Sequence, residues 1–208
     1  MKAPEDKRPS TIKTWLGTGS INIFGLPFAG KDTHGRELAE IFGATLIGGG
    51  DILRNSTIPP HVKKIIDQGL LAPTDDYIDI VLPYLSRPEI ADTPFILSSV
   101  GRWHGEEDGV MQAADESGHP VRAVVYLSID NSEAVRRFNR SQDLGDRESR
   151  DDDAEHLLET RIEEFRQKTI PVIDYYRKRD LLIEIDGRPP KPIVLDAILD
   201  ALYARATK

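Results

Sequence analysis

The chain has 208 residues, 39% hydrophobic and 30% charged, with a net charge of −8, which suits one domain with a sizeable core and argues against a surface that coats nucleic acid. It contains no cysteine, so disulfides and thiolate metal sites are excluded and a cytoplasmic setting is favoured. No apolar run approaches the roughly 20 residues that cross a bilayer, and the opening MKAPEDKRPSTIKTW lacks the apolar core of a signal peptide.

In chain order, residues 1–17 read as a polar, partly disordered extension, with Trp15 and Leu16 placed to pack on the body. SINIFG (20–25) is a short apolar run closed by glycine and predicts a buried strand. Gly30 to Phe42 carries Leu38, Ala39, Ile41 and Phe42 at helical spacing. Further helices are expected over 59–68, 74–85, 105–117, 131–140, 153–178 and 192–206, the longest of them kinked at Pro171. TPFILSSV (93–100), VRAVVYLSI (121–129) and LLIEID (181–186) are rich in branched residues and predict strands. Strands alternating with helices give an α/β fold with a parallel sheet covered on both faces. DLGDRESRDDDAE (143–155) is dense in charge and reads as an exposed, mobile loop. His34, His61, His119 and His156 fall on or beside predicted helices and are expected at the surface.

The segment GLPFAGKDTHG (25–35) joins the first strand to the first long helix. Strand, Gly-x-x-x-x-Gly-Lys, then helix is the context of a phosphate-binding loop. Its glycines let backbone N–H groups converge on phosphate oxygens, and the helix adds its positive end. Lys31 reaches the terminal phosphates as a point charge. The plainer alternative is a glycine-rich turn with a surface lysine. Asp32 follows the lysine where Ser or Thr is commoner, and Thr33 comes one place late.

Several motifs in order resemble the adenylate kinases and related nucleoside monophosphate kinases over roughly residues 20–207. GLPFAGKDT stands against the family loop Gly-x-Pro-Gly-x-Gly-Lys-Gly-Thr, with Phe28 and Asp32 at glycine positions. GGGDILR (48–54) stands against Thr-Gly-Asp-x-Leu-Arg, and IDQGLLAPTDD (66–76) against the segment that holds the acceptor base. FILSSVGRWHGEE (95–107) stands against Phe-Ile-Leu-Asp-Gly-Phe-Pro-Arg and a following glutamine. RRFNR (136–140), SRDDD (149–153) and LLETRIEEFRQKTIPVIDYY (157–176) match the lid and the helix after it, and IEIDG (183–187) the last strand and the turn behind the ATP adenine.

The resemblance implies a P-loop nucleoside-triphosphate fold, with a five-stranded parallel sheet flanked by helices. It implies two small insertions, an acceptor-binding lobe over about 51–85 and a short lid over about 141–153. It implies that ATP meets Phe28, Ala29, Gly30, Lys31, Asp32, Thr33, Arg136, Arg140 and Gly187. The acceptor meets Gly49, Arg54, Leu70, Leu71, Ala72, Ser99, Arg102 and Glu106. Lys31, Arg102, Arg136, Arg150 and Arg161 are the implied catalytic set, and Asp152 and Asp153 orient the lid arginines. The guanidinium fork suits phosphate oxygens and stays charged.

Three departures bear on function. Ser98 stands where the family has an aspartate that organises water around magnesium. Asp32 either takes over that metal contact or caps the helix and favours its positive end. Gly49 lacks the family threonine hydroxyl. Glu106 replaces a glutamine, and ionised glutamate offers only acceptors, which suit guanine better than adenine; a one-residue shift in the match would remove it from the base. Trp103 and His104 are read as packing residues rather than base-stacking ones. The expected activity is transfer of the ATP γ-phosphate to a nucleoside monophosphate with Mg2+, AMP being the acceptor the resemblance implies. GMP, CMP or UMP as acceptor, and a nucleotide-binding regulator with little turnover, remain the alternatives. No nucleic acid or membrane partner is expected, and a monomer is the default.

Overall fold

The computed structural model describes residues 6–144 and 155–208. Five strands, β1 (Ser20–Gly25), β2 (Thr45–Gly48), β3 (Phe95–Ser98), β4 (Val121–Ser128) and β5 (Leu182–Asp186), form one sheet in the order β2-β3-β1-β4-β5. Every neighbouring pair is parallel. The central β1 is buried at all six positions, which is why SINIFG shows no polar alternation. Edge strand β5 instead alternates buried Ile183 and Ile185 with exposed Glu184 and Asp186.

The helices are α1 (Arg8–Leu16), α2 (Lys31–Phe42), α3 (Gly49–Asn55), α4 (Pro60–Asp67), α5 (Thr74–Val81), α6 (Glu107–Glu116), α7 (Asn131–Leu144), α8 (Glu155–Glu164), α9 (Ile170–Lys178) and α10 (Lys191–Ala206). They flank the sheet, and α3, α4 and α5 lie in the connection between β2 and β3. The main core joins Ile21, Ile23, Phe24, Phe42, Val124, Leu127, Tyr176 and Leu202. A second core sets Ile52, Leu53, Val62, Tyr77, Val81 and Leu85 against Ile47, Phe95 and Leu97 of the sheet edge. Residues 51–85 therefore share an apolar seam with β2 and β3.

Several elements differ from the sequence reading. Arg8–Leu16 is a docked helix and not a disordered extension: Ile12 and Leu16 are fully buried, and Arg8 pairs with Asp196 and Asp200 of α10 at 2.7 and 2.5 Å. β2 and α3 were not expected, because four strand residues running into three glycines carry little pattern. The long helix expected over 153–178 is interrupted by a π-helical turn, Phe165–Thr169, and Pro171 lies in the first turn of α9. The wider turn accommodates the missing proline N–H before the ring arrives, where a kink at the proline was anticipated. His34 and His119 are buried, not exposed; His119 stacks on Phe95 with centroids 3.6 Å apart, and its Nδ1 lies 2.7 Å from the Thr18 carbonyl. Among the described residues, no helix is long and apolar enough to cross a membrane.

Candidate active site

The loops after β1, β3, β4 and β5 all leave the carboxyl ends of a parallel sheet, where such folds place their ligands. The loops after β1, β3 and β5, the connection between β2 and β3, and helices α7 and α8 enclose a cleft of about 1130 Å³.

The loop from β1 to α2 forms one wall. Gly25 is held tightly: a Cβ there would lie 2.9 Å from both the Ala29 methyl and the Leu127 carbonyl oxygen. Gly30 has φ 100°, which only glycine adopts without strain, and it turns the chain into α2. Phe28 also has a left-handed backbone, φ 64°, and its ring meets Phe138 edge-on at 5.4 Å. The Lys31 ammonium lies 2.9 Å from each of the carbonyl oxygens of Gly25 and Leu26. Phe28, Gly30, Lys31, Asp32 and Thr33 line the cleft, whereas Ala29 is buried behind the loop. Ser98, at the end of β3, donates its hydroxyl to Asp32 Oδ1 at 3.0 Å.

The loop after β3 forms a second wall and is pinned from three sides. The buried Asn22 amide donates to the Val100 carbonyl at 2.7 Å and accepts its N–H at 3.3 Å. Tyr77 Oη accepts the Gly101 N–H at 2.9 Å, and Thr169 donates to the Arg102 carbonyl at 2.9 Å. Ser99 there takes φ 52°, in the left-handed region that favours glycine. These contacts present Arg102 to the cleft. Burial, together with the nearby charges of Arg161 and Arg54, pushes its guanidinium pKa below the ordinary arginine value. A cluster of cations that repel one another is relieved by an anion, so the three guanidinia favour a phosphate.

Leu70, Leu71 and Ala72 line the cleft, as do Arg54 and Arg161. Arg54 pairs with Asp51 at 2.6 Å. Gly49 and Glu106 are not brought to it. The Tyr77 hydroxyl occupies the space a Gly49 side chain would need, 2.6 Å from an ideal Cβ. Glu106 is buried, and its carboxylate accepts the Trp103 N–H at 3.0 Å. Burial raises its pKa, the backbone donors opposing only in part. Trp103 packs under the Lys168 ammonium, 3.8 Å from the ring centre, and His104 pairs with Glu107 at 2.7 Å.

Arg136, Arg140 and Gly187 line the far wall. Arg150, Asp152 and Asp153 lie outside the described residues. Arg137, Glu164 and His34 are among the cleft residues that the sequence did not single out. Arg137, beside Arg136, reaches the Gly187 carbonyl at 2.6 Å and the Phe28 and Ala29 carbonyls at 3.3 Å each, and pairs with Glu133 at 2.6 Å. It ties the phosphate-binding loop to the turn after β5. Arg136 pairs with the same glutamate but is 61% exposed. Glu164 accepts from the Leu71 N–H at 3.0 Å and from Lys168 at 2.6 Å, joining the loop at 70–72 to the helix beyond the lid position. His34 also lines the cleft. Burial pushes its pKa below the ordinary imidazole value, against the opposing pull of Glu37 at 2.8 Å. Arg137 and Ser141 both line the cleft, one helical turn apart, so counting from the second arginine of the pair could have found it.

Residues 23–181 match a family model described as adenylate kinase. The chain is 31% identical over 178 residues to an adenylate kinase of Thermus thermophilus, covering 83% of this chain and 91% of that one. It is 29% identical over 194 residues to an adenylate kinase of Methanocella arvoryzae, covering 79% and 89%. A third, from Archaeoglobus fulgidus, is 27% identical over 197 residues, covering 81% and 90%.

Proposed function

The chain belongs to the adenylate kinase family, and from that premise we propose that it transfers the γ-phosphoryl group of ATP reversibly to AMP, giving two ADP. The observation that carries this reading is the convergence of Lys31 with Arg54, Arg102, Arg136, Arg140 and Arg161 on one cleft. Phosphoryl transfer asks the protein for positioning and for positive charge around the moving group, and no side chain need become covalently attached. An oxygen of the AMP phosphate attacks the γ-phosphorus. The bond from that phosphorus to the β,γ-bridging oxygen breaks, and ADP leaves with the electron pair.

In this reading the N–H groups of the β1–α2 loop and Lys31 cradle the ATP phosphates, with Phe28, Ala29, Gly30, Asp32 and Thr33 forming that loop. Arg136, Arg137 and Arg140 face the donor, and Gly187 backs its base. Arg54 and Arg102 hold the acceptor phosphate, while Leu70, Leu71, Ala72 and Ser99 border the acceptor. Arg161 and, from the lid, Arg150 close on the transferring group, with Asp152 and Asp153 orienting the lid. Residues of about 51–85 act as the acceptor lobe and about 141–153 as a short lid that excludes water. Gly49 and Glu106 act from behind the site: Gly49 leaves room for Tyr77, and Glu106 braces the Arg102 loop. Mg2+ enters with ATP. Cysteine-free composition supports a cytoplasmic setting. The exposed large apolar side chains, Val135 and Ile193, form no extended patch among the described residues, which supports a monomer.

A coupled assay with MgATP and each of AMP, GMP, CMP and UMP tests the reading. Rapid ADP formation with AMP is the expected outcome. A preference for another monophosphate overturns the choice of acceptor, and ATP binding without turnover on any of them overturns the kinase.

A further inference from the structure

Against the pattern this sequence resembles, a carboxylate is missing at the end of β3, where Ser98 stands, and one has appeared directly after Lys31, at a glycine position, with Thr33 kept. Nucleotide-binding loops of this kind commonly hold Mg2+ through a Ser or Thr directly after the lysine and through an aspartate on a separate element. Here the residue after Lys31 is Asp32, in the first turn of α2, and the residue closing β3 is Ser98. β3 is the hydrogen-bonded neighbour of β1, so the two positions face each other across the loop. They touch: Ser98 Oγ donates to Asp32 Oδ1 at 3.0 Å, and both line the cleft beside Lys31.

We propose that this pair is the chain's divalent-cation position with the carboxylate moved from the end of β3 to the loop, Asp32 supplying the anionic oxygen toward the cation that accompanies ATP and Ser98 orienting that carboxylate. The inference rests on the ATP site assigned above. The donor set fits: Mg2+ takes oxygen ligands, keeps several waters, and is commonly held by one or two carboxylates plus phosphates. Among the described residues no group of three or more His, Cys, Asp or Glu side chains gathers to cage a metal, so a cation here depends on few protein oxygens. A carboxylate beside a triphosphate is repelled by it unless a cation lies between them. A charge that merely favours the start of α2 would not distinguish metal-bound from metal-free nucleotide.

That contrast supplies the test. ATP binding to the full chain is measured by calorimetry in EDTA and in Mn2+, and Mn2+ affinity in the ATP complex by electron paramagnetic resonance. Asp32→Asn should weaken Mn2+ in the complex by about tenfold or more, while metal-free ATP binds as tightly as to the wild type or more tightly, because a repelling charge is gone. The double exchange Asp32→Ser with Ser98→Asp should bring Mn2+ affinity back to within about threefold of wild type. Unchanged Mn2+ affinity in Asp32→Asn, or an equal loss of ATP binding in EDTA, overturns the inference and leaves the kinase reading standing. A wild-type chain that binds no ATP in either buffer overturns both.

Discussion

Glu106 shows how far a side chain's environment can depart from what its position in a motif suggests. Its carboxyl is buried against the Arg102 loop, and its pKa is raised above the ordinary glutamate value of 4.5, chiefly by burial. A raised folded pKa adds stability that is fully present below the unfolded value and is lost as pH rises through the folded one. Glu106→Gln keeps an oxygen for the Trp103 N–H and carries no charge at any pH. Thermal melts should therefore show wild type and variant diverging as pH rises above about 4.5, the variant gaining relative to the wild type. Parallel curves would mean that the carboxyl is solvated in solution. None of this was legible in the sequence, where Glu106 simply aligned with a base-reading glutamine. Gly49 is the same kind of case, since the hydroxyl that fills its space belongs to Tyr77 in a different helix. Lys31, Asp32 and the loop glycines were legible because contiguous residues make the whole device. Arg137 was missed beside Arg136 because its partners, the carbonyls of Phe28, Ala29 and Gly187, come from loops far from it in the chain.

At the scale of elements, the long apolar strands and regular helices were readable from spacing, and the short ones were not. β2 offers only TLIG, and its membership of the sheet comes from pairing with β3. The terminal segment misled for another reason: α1 has a mixed surface and buries just Ile12 and Leu16, a narrow stripe. That stripe is fully enclosed, so Leu16→Ala should cost about 2–5 kcal/mol and lower the melting temperature by about 5–15 °C. Leu16 precedes β1, at the opposite end of the strand from the cleft, so the KM values for both nucleotides should stay within about twofold of wild type. An unchanged melting temperature would show that α1 is not docked in solution.

Over the whole molecule, charge is divided unevenly. The chain is acidic overall, at −8, yet the cleft walls gather Lys31, Arg54, Arg102, Arg137, Arg140 and Arg161. An anionic exterior around a cationic cleft attracts nucleotides locally and discourages long polyanions. Many carboxylates pair with exposed cations, such as Lys63 with Asp67, and such pairs contribute little to stability. Salt should thus separate function from folding. Raising KCl from about 0.05 to 0.5 M should increase KM for both nucleotides several-fold, with the melting temperature moving by only a few degrees. A KM insensitive to salt would argue that the guanidinia are not what holds the phosphates.

The docking of α1 on α10 also governs how the chain can be made. Arg8 and Asp200, which it brings together, are 192 positions apart. During synthesis α1 emerges first and finds no partner, because its contact surface has not yet been translated. Because α10 supplies Asp196 and Asp200, the carboxylates that meet Arg8 from across the fold, the contacts of α1 can be completed only once residues 191–206 are in place.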